Sequence, residues 1–125
     1  MDDELDGISK DRQTMDKPSR RVRSGGLALI KYLVATERYR LSEKALELLG
    51  LGYFELEDLE HSIQCGTVLK TEKDELKNSV GNKKYVIVGR DTFGYLFYSC
   101  GKIQKFEGGK EYFVITAHME DANYD

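Results

Sequence analysis

The last third of the chain, from residue 83 to residue 119, is predicted to form three consecutive β-strands. Aromatic and β-branched residues dominate it, as is typical of a pleated and half-buried surface. The two linkers are short enough for hairpins, and Gly108 and Gly109 supply the positive φ that a tight turn needs. We therefore expect an antiparallel meander, with strands at residues 85–89, 95–99 and 112–119.

The second hairpin defines the expected register. If its two glycines close a two-residue turn, Glu107 pairs with Lys110. Ile103 then lies opposite Val114, and the middle strand extends from about residue 95 to residue 106. Gly101 within that strand is the natural position for a β-bulge.

Alternation along the last strand separates its residues into two faces. One set is wholly apolar and is expected to face the core: Phe113, Ile115, Ala117 and Met119. The other set includes the polar groups that a reaction could use: Tyr112, Val114, Thr116 and His118.

The chain has 125 residues, enough for one domain with a substantial core, and a formal charge of −3. The charge is unevenly distributed. Residues 83–110 contain six Lys and Arg but two acids, whereas residues 37–60 contain seven acids but three Lys and Arg. A basic sheet favours a polyanionic ligand, although an ordinary solvated surface explains an excess of this size as simply.

Other features of the composition argue against several classes of protein. Cys65 and Cys100 fit no metal-ligand spacing, so we expect two reduced thiols in a cytoplasmic protein. No segment approaches the roughly 20 apolar residues of a membrane span. The sequence contains no Walker loop, nucleophile elbow or dinucleotide fingerprint. We expect no membrane association, no metal and no cofactor.

Three regions are predicted along the chain. Residues 1–24 are expected to be a disordered, charged leader, because they contain too few large apolar residues to offset the entropy of ordering. Residues 25–121 are expected to form a single domain, and residues 122–125 a tail. Two interpretations of the basic end of the leader stay open. It contacts RNA or an acidic partner, or it only keeps the leader soluble.

Three helices are predicted before the meander. The first covers residues 26–37, where apolar residues recur at helical spacing, although a buried strand competes over so short a run. The second begins after the N-cap Ser42 and ends at Gly50, and the third covers residues 55–64. The core-facing residues of the first helix are Leu29, Ile30, Leu33 and Val34.

The order of elements predicts the fold class. Residues 39–41 and 67–70 are expected to be extended, and residues 71–82 to form a polar loop. The expected architecture is α+β, with two or three N-terminal helices packed on one face of a three- to four-stranded antiparallel sheet.

Four segments together resemble a known family. The segments are residues 39–47, 56–59, 66–68 and 114–116, which read YRLSEKALE, LEDL, GTV and VIT. Over roughly residues 26–120 the chain is similar to domain-of-unknown-function family 4258, small prokaryotic domains that look like the RelE-type toxins and share a fold with barnase-like ribonucleases. The resemblance implies a RelE-like fold, metal-independent RNA cleavage and a neighbouring antitoxin as partner.

The sequence departs from the family pattern at two positions. Members typically read Ser-x-His-Ala at the start of the helix after residue 41, whereas Lys44 replaces the histidine here. Members often continue with Glu-Arg-Gly, of which Gly50 alone is retained. These departures leave open a domain that keeps the fold and has lost the chemistry.

Three side chains are the catalytic candidates for RNA cleavage by 2′-hydroxyl attack, which needs a proton acceptor, phosphate stabilisation and a proton donor. His118 is the candidate base or acid, because its ordinary pKa is near neutrality. Arg90 is the candidate phosphate clamp, and Lys44 a second phosphate-binding cation. The simpler interpretation of each is an exposed surface residue, with Arg90 paired to Asp91 or another acid.

Four further residues are substrate-binding candidates. Tyr98 and Tyr112 offer rings on which bases can stack, although tyrosines in a small sheet more often pack in the core or at its rim. Thr116 shares the face of His118, and Lys102 contributes to a basic sheet edge.

Two functions from different classes follow. The first is a RelE-like endoribonuclease that a partner antitoxin neutralises. The alternative is a catalytically inactive module of the same fold that binds RNA or protein.

Overall fold

The structure is a computed structural model that describes residues 26–119. The predicted leader (1–24) and tail (122–125) lie outside the described residues. None of the helices in the described part is both long and apolar enough to cross a bilayer.

Three α-helices precede most of the sheet, as predicted. They are α1 (Gly26–Ala35), α2 (Glu43–Gly50) and α3 (Leu56–Gln64). The helical conformation of α1 excludes the competing strand, and its four predicted core-facing residues are all buried. Ser42 caps α2 by accepting a hydrogen bond from the backbone N–H of Ala45. Of the α2 residues only Ala45 is buried, so this short helix contributes little to the core.

The sheet has five strands rather than three or four, and it is mixed rather than purely antiparallel. Its order is β1-β5-β4-β3-β2, and β1 runs parallel to β5. The expected extended piece at residues 39–41 is β1, which adds an edge strand beyond the meander. The strands are β1 (Tyr39–Leu41), β2 (Thr67–Lys73), β3 (Lys83–Arg90), β4 (Leu96–Phe106) and β5 (Gly109–Met119).

A bulge in β5 makes the predicted two-face alternation wrong over half of the strand. Cys100 pairs with Thr116, but the next residue, Gly101, pairs with Val114, so Ile115 is the extra residue. Before the bulge Tyr112 and Val114 point into the core, and both are fully buried. The irregularity therefore adjoins Gly101 as predicted, although the inserted residue belongs to the neighbouring strand.

The bulge changes which face of the sheet several β5 residues belong to. Tyr112 and Val114 belong to the core face and not to the polar face, whereas Phe113 lies outside the core with the Arg40 guanidinium 4.9 Å from its ring centroid. After the bulge the prediction is confirmed. Ala117 is buried in the core, and His118 points away from it.

The second hairpin closes one residue earlier than predicted. Phe106 pairs with Gly109, so the turn consists of residues 107 and 108, and Ile103 lies opposite Tyr112 instead of Val114. Gly101 permits this packing, because a Cβ there would come within 2.6 Å of the Tyr112 hydroxyl. The Tyr112 ring therefore occupies space that only a glycine leaves open.

The core lies between the helices and one face of the sheet. Residues of α1 and α3 join inward residues of β3, β4 and β5 in one buried cluster, which includes Ile30, Ile63, Ile87, Phe97 and Val114. The opposite face, here called the outer face, is less buried. Register places on it Val86, Val88, Tyr98, Cys100, Thr116 and His118.

Candidate functional site

The outer face contains a concave region of about 450 Å³. It crosses the sheet from β5 to the edge strand β2, so its walls come from four strands. Three of the seven predicted site residues line it: His118, Thr116 and Tyr98. The remaining lining residues are Lys70, Glu72, Val86, Ser99 and Cys100.

The His118 imidazole is held by a cross-strand partner. His118 pairs with Tyr98 on β4, and the two rings stack with centroids 5.7 Å apart and planes 15° from parallel. Partial burial is the main cause that lowers the pKa of His118, and the nearby Lys44 ammonium lowers it further. The ring is therefore mainly neutral at pH 7, in the form that accepts a proton.

Lys44 is brought to this site by the start of α2. The Ser42 hydroxyl donates to the carbonyl of Ile115 at 2.6 Å, and the Ser42 N–H donates to the carbonyl of Val114 at 2.9 Å. These bonds fasten the N-cap of α2 to the bulge of β5. The bulge thus turns Thr116 and His118 outward and also anchors the helix that carries the exposed Lys44.

Lys70, Glu72 and Cys100 line the cavity but were not among the predicted site residues. Lys70 and Glu72 form an exposed ion pair with 3.2 Å between Nζ and Oε2. Burial raises the pKa of Cys100, which keeps its thiol protonated and makes it a poor nucleophile at neutral pH. The sequence indicated a polar loop from residue 71, whereas β2 continues to Lys73 and places Glu72 beside Lys70 at the cavity.

Arg90 lies apart from the cavity. It ends β3 and pairs with Leu96, two pairs beyond the row that contains His118 and Tyr98. Standard strand spacings place its Cα about 12 Å from that of His118. Its Nη1 donates to the carbonyl of Gly94 at 2.8 Å, so its observed partner is its own turn and not Asp91.

Lys102 and Tyr112 do not belong to an accessible binding surface. Tyr112 is fully buried on the core face, because the bulge reverses the expected alternation. Lys102 is only 3% exposed, because the loop after β2 covers it. Its Nζ donates to Asn78 at 2.7 Å and lies 3.4 Å from Asp74. The predicted basic edge therefore lacks Lys102.

The arrangement offers one proton-transfer group and a stacking ring in one concavity, with Lys70 in its lining and Lys44 near the imidazole. Among the described residues no group of three or more His, Cys, Asp and Glu is arranged to hold a metal ion. His61 is exposed on α3, and its Nδ1 donates to the carbonyl of Arg90 at 2.7 Å, outside this concavity. The chemistry available at the outer face is proton transfer by His118 and charge stabilisation by Lys44 and Lys70.

Comparison with known proteins gives no independent identification. No protein-family model matches the sequence, and no curated protein and no solved structure matches it significantly. The resemblance to family 4258 therefore remains a hypothesis that rests on four short segments.

Proposed function

We propose that the outer face binds RNA and that the chain is a RelE-like, metal-independent endoribonuclease of the cytoplasm, neutralised by a partner antitoxin. One observation supports this proposal above the others. His118, Thr116, Tyr98 and Lys70 line a single concavity, and the Lys44 ammonium is near enough to lower the pKa of His118.

The reaction uses His118 twice. Its neutral imidazole accepts the proton of a ribose 2′-hydroxyl while the 2′-oxygen attacks the adjacent phosphorus. The bond from phosphorus to the 5′-oxygen breaks, and the imidazolium returns its proton to that oxygen. The products are a 2′,3′-cyclic phosphate and a free 5′-hydroxyl, so atoms and charge balance without an added reagent.

The surrounding cations stabilise the phosphate during this step. Lys44 and Lys70 are both exposed and near the imidazole or its cavity, where their ammonium groups can offset the charge that develops on the phosphoryl oxygens. Thr116 can donate a hydrogen bond from its hydroxyl, and the Tyr98 ring can hold a base. Arg90 is too far along the sheet to contact the same phosphate.

A second candidate is an inactive module that binds RNA or protein through the same face. The observation that favours it is the shortage of proton-transfer groups in the cavity. His118 is the one imidazole in the lining, and the one carboxylate there, Glu72, is paired with Lys70. With Lys44 at the position of the family histidine, proton transfer depends on His118 alone.

Cleavage of RNA in the presence of a chelator separates the two candidates. We expect the native chain to produce 2′,3′-cyclic phosphate ends and His118→Ala to be slower by at least about 100-fold, because general acid–base catalysis is removed. His61→Ala is the matched control and should retain activity within about threefold, since His61 lies outside the cavity.

Absence of cleavage by both the native chain and His118→Ala would reject the enzyme and leave the binding module. Equal cleavage by both would reject His118 as the catalytic group. Growth arrest on induced expression, relieved by the product of an adjacent gene, would support the toxin and antitoxin pairing.

A further inference from the structure

The turn between β3 and β4 is held by hydrogen bonds to two carboxylates. The buried Asp91 carboxylate accepts from the backbone N–H groups of Phe93 at 2.9 Å and Tyr95 at 2.8 Å. The Asp58 carboxylate, on α3, accepts from the backbone N–H of Thr92 at 3.1 Å and from its hydroxyl at 2.8 Å. Two acidic side chains thus bind the backbone N–H groups of Thr92, Phe93 and Tyr95.

Backbone hydrogen bonds complete the turn. The N–H of Asp91 donates to the carbonyl of Tyr95 at 2.8 Å, and the N–H of Gly94 donates to the carbonyl of Asp91 at 3.0 Å. The Arg90 guanidinium binds the carbonyl of Gly94 from outside. The turn is therefore a rigid part of the fold rather than a loosely attached loop.

This rigid turn presents two aromatic side chains to solvent. Phe93 is 82% exposed and Tyr95 is 65% exposed. An exposed aromatic side chain on a fixed backbone loses little entropy on binding, which is the property of a binding anchor. Neither ring contributes to the core, so the stability of the domain does not explain their presence.

The turn lies at the His118 end of the sheet. Arg90 and Leu96 form a pair two positions beyond the row of His118 and Tyr98. Tyr95 directly precedes β4 and is three residues from Tyr98, a separation of about 10 Å. A single RNA strand that enters the cavity can therefore continue past Arg90 to the turn.

We infer that the Phe93 turn (residues 91–95) is a stacking platform for unpaired bases of single-stranded RNA next to the cavity. Phe93 and Tyr95 stack two bases, and the Arg90 guanidinium binds the phosphate between the turn and the cavity. This inference rests on the proposed RNA-binding function and adds that the substrate is single-stranded. In a duplex the base faces are already stacked and cannot reach the two rings.

The chemistry around the turn favours RNA over a protein partner. The turn combines flat rings with a guanidinium, the usual elements of sequence-tolerant binding to single strands. Its two carboxylates, Asp58 and Asp91, are buried and accept hydrogen bonds from the turn itself. Their oxygens are therefore occupied within the turn, and the acids near it, Glu57 and Glu60, lie on the α3 side beside Thr92.

Fluorescence anisotropy with a labelled 2′-O-methyl oligoadenylate tests this inference independently of cleavage, because that RNA lacks the attacking hydroxyl. We expect Phe93→Ala and Tyr95→Ala each to weaken binding of the single strand by about fivefold or more. The matched control is Phe106→Ala, an exposed aromatic residue at the opposite hairpin, which should stay within about twofold. A duplex of the same length should bind equally to all four proteins.

Unchanged single-strand affinity in Phe93→Ala and Tyr95→Ala would overturn the inference, as would an equal loss in Phe106→Ala. Loss of self-association in the turn variants without a change in RNA affinity would also overturn it and would assign the turn to a protein contact. Cleavage by the native chain with unaltered binding in the variants would refute the platform alone. Turn-dependent binding without cleavage would refute the enzyme alone.

Discussion

Lys102→Met is expected to lower the free energy of unfolding by about 3–5 kcal/mol, although lysine is ordinarily a surface residue. The Lys102 side chain is almost fully buried, and its Nζ donates to Asn78 and lies within 3.4 Å of both Asp74 carboxylate oxygens. Methionine fills a similar volume but leaves the Asp74 carboxylate buried without its cation. Urea denaturation at neutral pH measures the loss, and the exposed Lys105→Met is the matched control, expected to change stability by less than about 0.5 kcal/mol.

The effect of Lys102→Met has a defined pH dependence. The hydrogen bond from Ser79, helped by the Leu76 N–H and by Lys102, holds the pKa of Asp74 below its usual range despite burial. A depressed pKa contributes stability above the unfolded value of about 3.9, and this contribution is lost as the pH falls through the folded pKa. The difference in free energy of unfolding between the native chain and Lys102→Met should therefore become smaller in acid. A difference in unfolding free energy that does not change with pH, or that is below about 1 kcal/mol at pH 7, would refute the buried ion pair of Lys102 and Asp74.

Gly89→Ala is expected to lower the free energy of unfolding by about 3 kcal/mol or more. The helix α3 packs so closely on β3 that a Cβ at Gly89 would lie 2.8 Å from the Ser62 carbonyl carbon and closer still to its oxygen. Backbone cannot rotate away as a side chain can, so the helix must move off the sheet. Thermal denaturation followed by circular dichroism should show a correspondingly lower Tm.

Gly50→Ala is the matched control for Gly89→Ala. A Cβ at Gly50 meets nothing within 4 Å, and the residue ends α2. We expect no loss of stability, and a gain of up to about 1 kcal/mol, because alanine loses less backbone entropy than glycine in a helix. Equal stability of Gly89→Ala and Gly50→Ala would show that α3 and β3 are not in close contact.

The sequence predicts the elements of this fold better than their pairing. The apolar spacing in α1 and the capping serine of α2 are local signals, and both predictions are confirmed. The bulge at Ile115 is set by tertiary contacts, because Ser42 from a distant segment binds its carbonyl. No local pattern in β5 indicates where the alternation changes phase, so Tyr112 was assigned to the wrong face.

The sequence predicted some residues of the candidate site and missed others. His118 and Thr116 follow the bulge, so their outward direction does not depend on the error made before it. Lys102 was misassigned because the polar loop that buries it contains Asp74, and a buried ion pair leaves no signature in local composition. Lys70 and Glu72 lie on an edge strand that is exposed on both faces, where the apolar alternation that indicates a strand is absent.

The histidine ring signals in NMR spectra test most directly whether the outer face binds RNA through His118. The chain has two histidines, so His61 serves as an internal reference. Without ligand, the pKa of His118 should lie below its ordinary value of about 6.5, and Lys44→Gln should raise it. Saturation with 2′-O-methyl RNA should raise the pKa of His118, since a bound phosphate stabilises the imidazolium, and should leave the ring signals of His61 nearly unmoved. A larger change at His61, or an unchanged His118 in the presence of bound RNA, would contradict the proposed site.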